Sequence, residues 1–311
     1  MRVLQYAEYG GPEVLRVTEI ETPKPGPAEV LVRVHAATVG WGDCKLRSGS
    51  LKSFYHIIMP KIPGRYGSGI IAALGPGVTV WHVGQSVLFA PLHTESGSAA
   101  EYIRLSSGNI ALKPAAFDHI QTASMMQGVV SAYSCLIRTG EVAVDQRVLV
   151  HGGAGSIGSA CVELARHLGC IVTATCREID CDYVRSLGAH HTVAFDRVDF
   201  QKTVQEQDVV IDLLGGDVHR KSYRVLRTGG RLIYLNADPI DRDMQRTDVV
   251  VLNAPVVNDG SVLQAVSQLI GQGVFAPRVG KVLPLQDGSF AHELLESRAI
   301  RRGRIVLKVT E

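Results

Sequence analysis

Over roughly the first 110 residues, apolar positions alternate or run in short stretches: VLRVTEI, AEVLVRVHAATV, GIIAALG, SVLFAPL and AAEYIRL. PKPGP and GPGV interrupt them. A period of two places alternate side chains on one face, and Pro/Gly clusters force turns, so this part predicts strands joined by turns. Bent strands of this kind make a β-rich module, a partly closed barrel. Near residue 118 the period changes. Segment 118–138, DHIQTASMMQGVVSAYSCLIR, opens on an Asp able to cap a helix and continues at helical spacing. Beyond it RVLVH, CIVTATC, HTVAF, DVVIDLL and RLIYLN read as strands, and SIGSACVELARHLG, DYVRSLG and KSYRVLRTGG as helices between them. β-rich apolar runs alternating with helical ones predict βαβ units and a parallel sheet covered on both faces. From about residue 262 two helical runs, VLQAVSQLIGQG and SFAHELLESR, lead to a terminal strand, GRIVLKV. That strand has no place in a complete nucleotide-binding sheet and is expected to return to the first module. The expected organisation is a discontinuous β-rich domain, 1–115 with 258–311, around a doubly wound α/β domain, 116–257.

Composition narrows the classes without adding a partner. A chain of 311 residues with 46% hydrophobic content suffices for two ordinary cores. Thirty-two Lys and Arg face 30 Asp and Glu, a net charge of +2, which gives no electrostatic case for nucleic acid or an acidic membrane. No run of about 18 apolar residues could span a bilayer, and MRVLQYAEYGG lacks the apolar core of a signal peptide. A cytoplasmic protein is expected. The six cysteines form no C-x-x-C pair and read as reduced thiols. The doublet His190–His191 reads as a surface loop, because adjacent rings diverge and no second pair stands at zinc spacing.

The chemistry concentrates in VLVHGGAGSIGSACVELA, residues 148–165. An apolar strand ends at His151, and Gly153-x-Gly155-x-x-Gly158 opens a helix. The first glycine permits a tight turn, the second lets backbone approach a pyrophosphate, and the third lets helix and strand pack closely. The helix N-terminus adds free N–H groups and positive dipole, so Ser156, Ile157 and Gly158 are candidates for the pyrophosphate. Dinucleotide binding is expected. Cofactor type is read at the tip of the next strand, Thr175-Cys176-Arg177-Glu178. Arg177 could clamp a 2′-phosphate, which favours NADPH; Glu178 keeps NADH as the alternative.

Taken in order, EYGGPEVL (8–15), PGPAEVLVRVHAATV (25–39), DCKLRSG (43–49), IPG (62–64), GVTVWHVGQSV (77–87), SAAEYI (98–103), VLVHGGAGSIG (148–158), LGAHH (187–191), DVVIDLLGG (208–216), LRTGGRLI (226–233) and RGRIVLKV (302–309) resemble the medium-chain dehydrogenase/reductase superfamily. Within it the chain resembles the zinc-independent quinone oxidoreductase and enoyl (alkenal) reductase branch. The resemblance spans essentially the whole chain and implies a GroES-like catalytic domain interrupted by a Rossmann domain.

The zinc ligands of the superfamily's alcohol dehydrogenases fall here on Gly40, Arg65 and Gln127, and the four-cysteine lobe is missing. Gly, Arg and Gln cannot supply a tetrahedral zinc set, so no metal is expected. Without a Lewis acid, hydride transfer suits an activated C=C or a quinone. The resemblance thus implies an NADPH-dependent reductase of quinones or α,β-unsaturated carbonyls. The alternatives are a biosynthetic enoyl-thioester or ketone reductase, or a catalytically weak NADP(H)-binding protein. It further implies that Lys45 lines the substrate cleft, donating to a substrate oxygen or to cofactor ribose, unless it only snorkels at the edge. Tyr66, where relatives carry an acid, is a proton donor or wall packing. Ser131, Leu213, Leu214 and Asn236 fall at positions that touch the nicotinamide side or the loop under it. Gly40 stands where quinone oxidoreductases usually carry Asn. A homodimer through the apolar edge VVVLNAPVV (249–257) is also implied.

Overall fold

The computed structural model describes residues 1–235, 240 and 246–310. In chain order its main elements are β1 (Arg2–Gln5), β2 (Arg16–Glu19), β3 (Glu29–Val39), α1 (Trp41–Arg47), β4 (Gly67–Leu74), β5 (Ser86–Phe89), β6 (Tyr102–Ser106), β7 (Ile110–Leu112) and α2 (His119–Tyr133). There follow β8 (Arg147–Val150), α3 (Ser156–His167), β9 (Ile171–Cys176), α4 (Cys181–Ser186), β10 (His191–Ala194), β11 (Gln207–Asp212), α5 (Gly216–Ser222), β12 (Leu226–Tyr234) and β13 (Val250–Asn253). The chain closes with α6 (Gly260–Gly271), β14 (Val279–Pro284), α7 (Gly288–Glu296) and β15 (Arg304–Lys308). It forms two compact units, 1–126 with 258–311, and 127–257. The structure is mixed α/β, with a β-rich GroES-like part and a parallel-sheet Rossmann-like part.

In the first unit the alternating pattern of β3 sets the sheet. Val30, Val32 and Val34 are fully buried and join Ile71, Val87, Phe89, Ile103 and Leu307 in one core. At eleven residues β3 is long enough to hold β6 along its first half and β15 along its second, with β4 on its other side. The terminal strand β15 therefore belongs to this sheet, Ile305 opposite Val39. The unit extends into α2, beyond the 115 expected from sequence, because Ala123 is buried with Ala36 and Val306.

The second unit is a six-stranded parallel sheet in the order β10-β9-β8-β11-β12-β13. Its central strands are covered on both faces, which is why RVLV and DVVI are apolar runs rather than alternations: Val148, Leu149, Val150, Val209, Val210 and Ile211 are fully buried. The chain turns from one side of the sheet to the other between β8 and β11. In open α/β sheets, ligands bind at the carboxyl ends of the strands at such a switch point.

Three expected elements differ. The helix over 118–138 ends at Tyr133 and widens into a π-turn, Ser134–Thr139, that keeps Ser134, Cys135 and Leu136 buried. The helix expected over KSYRVLRTGG begins earlier, at Gly216, and LRTGG is part of β12, where buried Leu226 pairs beside Gln207. His191 opens β10 rather than lying in a loop, and His190 Nδ1 accepts a bond from the Val172 N–H at 3.0 Å.

Candidate active site

The glycine loop lies at the switch point. It leaves β8 through Gly152, whose φ of 72° lies in the left-handed region open to glycine. The loop is pinned from β9: the Gly153 N–H donates to the Thr175 carbonyl at 2.8 Å and the Gly152 N–H to Thr175 Oγ1 at 3.2 Å. Each of the three motif glycines has a different steric reason. A Cβ on Gly153 would come 2.8 Å from Ala174 Cβ, and one on Gly158 would lie 2.1 Å from the Gly152 carbonyl oxygen. These two allow the close packing of strand, loop and helix. A Cβ on Gly155 would meet only that carbonyl, at 3.3 Å, and otherwise open space. This glycine leaves a gap rather than filling a contact, at the N-cap of α3 with no side-chain cap. The first-turn N–H groups of Ser156, Ile157 and Gly158 lack intrahelical acceptors, and the helix dipole adds positive potential. The arrangement fits a pyrophosphate.

At the tip of β9, Arg177 is exposed and its guanidinium has no partner among the described residues. Glu178 next to it is occupied: its carboxylate receives both Nε and Nη2 of Arg197 at 2.7–2.8 Å. On the other side of the switch point, Leu214 is exposed, and its Cδ2 lies 3.9 Å from where a Cβ on Gly152 would stand. Leu213 precedes it, half-buried. Ser131 is buried on α2. Asn236 lies outside the described residues.

Sequence reasoning missed what holds the Leu213–Leu214 loop. Asp212, fully buried at the end of β11, accepts the N–H groups of Leu214 and Gly215 on Oδ1 at 2.9 and 3.0 Å. Its Oδ2 meets His219 Nδ1 at 2.8 Å, and His219 Nε2 meets the Tyr223 hydroxyl at 3.2 Å. Burial alone would raise the Asp212 carboxyl, but the bonds from His219 and the two N–H groups hold it below its usual range. A buried Asp closing an apolar strand was the available signal.

In the first unit α1 begins at Gly40, and Asp43 fastens that start. Its Oδ2 accepts the Gly40 N–H at 2.8 Å and its Oδ1 the Gly64 N–H at 2.9 Å, which ties α1 to the IPG turn. Burial pushes the Asp43 carboxyl up, opposed by those bonds and by the charges of Arg304 and Arg65. Cys44 points inward, its Sγ 3.4 Å from His292 Nδ1, and burial pushes its thiol up to about 12. Lys45 is exposed on the opposite face of α1, and its ammonium has no partner among the described residues.

Asp43 also lines a small cavity of about 10 Å³, room for roughly one water, together with Tyr6, Lys61, Gly64, Arg65 and His93. Lys45 and Tyr66 are not among the residues lining it. Tyr66 is buried, with the Arg65 guanidinium 5.9 Å from its ring centroid; burial raises its phenol pKa against the pull of Arg65 and Arg304. Lys61, unremarked in the sequence, lines the cavity while only 6% exposed.

Two family profiles match this chain: "Alcohol dehydrogenase GroES-like domain" over residues 26–138 and "Zinc-binding dehydrogenase" over residues 187–307. The chain is 28% identical to a quinone oxidoreductase of Homo sapiens, covering 99% of this chain and 97% of that protein. The chain belongs to the medium-chain dehydrogenase/reductase superfamily.

Relatives of this superfamily member lie on the quinone oxidoreductase and enoyl reductase branch. The chain is also 28% identical to a chloroplastic NADPH-dependent alkenal/one oxidoreductase of Arabidopsis thaliana, over 90% of this chain and 72% of that one. The solved structure of the quinone oxidoreductase from Coxiella burnetii superposes with a TM-score of 0.89 at 27% identity, covering 100% of this chain and 99% of the other. As a medium-chain reductase the chain is an oxidoreductase of an NAD(P)-binding family. Among the described residues no group of three His, Cys, Asp or Glu is arranged to hold a metal ion, and no helix is long and apolar enough to cross a membrane.

Proposed function

We propose that this medium-chain reductase is zinc-independent and NADPH-dependent, and reduces quinones or the activated C=C bond of α,β-unsaturated carbonyl compounds. The observation that carries the cofactor choice is the tip of β9, where Arg177 is unengaged while Glu178 is taken by Arg197. A carboxylate free to accept ribose hydroxyls would favour NADH; here the free group is a cation suited to a phosphate dianion. The zinc-free reading rests on donor chemistry: Gly40, Arg65 and Gln127, at the positions of the zinc ligands in the superfamily's alcohol dehydrogenases, offer no thiolate, imidazole or carboxylate.

When bound, the nicotinamide cofactor supplies the hydride. The chain's own residues bind and orient. Gly153 and Gly158 shape the loop, Gly155 leaves the gap for the pyrophosphate, and the N–H groups of Ser156, Ile157 and Gly158 donate to it. Arg177 holds the 2′-phosphate. Ser131, Leu213 and Leu214 form the nicotinamide side, with Asp212 fixing the Leu213–Leu214 loop; Asn236 is assigned there from the sequence alone. Lys45 is assigned to donate from its exposed ammonium, unpaired among the described residues, to a developing enolate oxygen. Tyr66 is assigned to supporting Arg65.

Thermal shift and fluorescence titration with NADPH and NADH test the cofactor reading; no response to NADPH would defeat it. Lys45→Ala is expected to lower kcat about tenfold or more, with NADPH affinity unchanged. A loss of NADPH affinity instead would assign Lys45 to the ribose. The edge strand β13 leaves Val250 and Leu252 48% and 37% exposed, and we assign it to a homodimer contact. Light scattering should give a two-chain mass; a single-chain mass removes this assignment.

A further inference from the structure

The tip of β9 carries a chemistry that cofactor binding does not use. Cys176 ends the strand and Cys181 opens α4, and their sulfurs stand 3.5 Å apart as free thiols. The two differ in access. Cys176 is buried, whereas Cys181 is half-buried and the most exposed of the six cysteines. Burial, and then the neighbouring Cys181, push the Cys176 thiol up to about 12, so the first reaction with a reagent in water falls to Cys181. Cys135 and Cys161 also bond to each other, but both are fully buried.

Arg177, assigned above to the 2′-phosphate, lies between these two thiols. With Glu178 and Ile179 it is exposed, and its carbonyl accepts the Asp180 N–H at 2.9 Å and the Cys181 thiol at 3.6 Å. Cys176 is fixed in the sheet: it pairs with Ala194, and its carbonyl accepts the Phe195 N–H at 3.0 Å. Bringing the sulfurs to bonding distance therefore draws Cys181 toward the strand. It also strips the Arg177 carbonyl of its thiol donor and closes a ring that contains Arg177.

We propose that Cys176 and Cys181 are a dithiol site oxidised by hydrogen peroxide, whose disulfide lowers NADPH affinity by displacing Arg177. The effect on NADPH rests on the cofactor reading above; the dithiol itself does not. The Cys181 thiolate attacks one oxygen of the peroxide, the O–O bond breaks and a water leaves, which gives a sulfenic acid. The Cys176 sulfur then attacks that sulfur. The S–S bond forms, the S–O bond breaks, and the hydroxide takes up the Cys176 proton as a second water. Two thiols lose two electrons in all, and one peroxide is reduced to two waters. A thiol reductant reverses the change by exchange.

The test treats the purified protein with hydrogen peroxide, removes the excess, and combines peptide mapping without reductant with NADPH and NADH titrations. A peptide linking Cys176 to Cys181 should appear, with the chain lighter by two hydrogens. NADPH affinity should fall about tenfold or more, as the loss of one charge-assisted contact gives. NADH affinity should change by no more than about threefold, the scale of an exposed charge. Dithiothreitol should restore NADPH binding. Cys181→Ser keeps a donor for the Arg177 carbonyl, and should bind NADPH like the reduced wild type both before and after peroxide. Thiols that stay reduced, or a Cys181 that passes to sulfinic acid without linking, overturn the inference. So does a linked pair that leaves NADPH affinity unchanged or lowers both cofactors alike. Each of these results leaves the cofactor reading intact. If the reduced protein binds no NADPH, that reading fails and the effect on NADPH with it, and the linked peptide alone upholds or overturns the dithiol site.

Discussion

Asp43→Ala is expected to destabilise the first unit by about 3 kcal/mol, read as a lower urea midpoint and melting temperature. The side chain is buried and accepts from two backbone N–H groups, at Gly40 and Gly64. Each orphaned buried donor costs on the order of 1–3 kcal/mol. Removal also deprives Arg304, itself buried and pressed toward neutrality by that burial, of the charge that most strongly opposes that shift. The NADPH titration should be affected little, because the glycine loop, Arg177 and Asp212 belong to the second unit. A melting temperature within a degree or so of wild type would remove Asp43 from its place as the tie between α1 and the IPG turn.

Arg177→Asp carries the second large effect. Losing a guanidinium contact to a dianionic phosphate and adding a like charge should cost on the order of 100-fold in NADPH affinity. NADH lacks that phosphate, so its affinity should change by no more than about threefold, the scale of an exposed charge. The ratio of the two dissociation constants is the informative quantity, since a folding defect would weaken both alike. Equal losses would show that Arg177 is an ordinary surface arginine.

Much of this was legible in the chain because it is local. The strand–glycine–helix run at 148–165 contains its own geometry: each glycine answers a short-range steric demand, and the pattern around it dictates the elements. The β-strand patterns were readable for the same reason, and GRIVLKV could be returned to the first sheet because the parallel sheet had no vacancy for it. What could not be read depends on contacts far apart in sequence. The boundary at Met126 follows from Ala123 meeting Ala36 and Val306, and helix propensity alone contains no such information. The occupation of Glu178 by Arg197, 19 residues on, decides which of two neighbouring residues is free at the tip of β9. Lys61 read as one lysine among many until burial placed it beside Asp43 and His93. In the acid–thiol–base trio Asp43-Cys44-Lys45, helical geometry sends the members apart: Asp43 to the backbone, Cys44 to His292, Lys45 to solvent.

One assay decides whether this protein is a zinc-free reductase that draws hydride from NADPH. The purified protein, treated with a chelator, is given a panel of quinones, alkenals and enones, and oxidation of NADPH and NADH is followed by absorbance. Turnover is expected with at least one of these acceptors, faster with NADPH than with NADH at limiting cofactor, and the same with or without the chelator. Turnover that appears only when zinc is restored, or that prefers NADH, would contradict it.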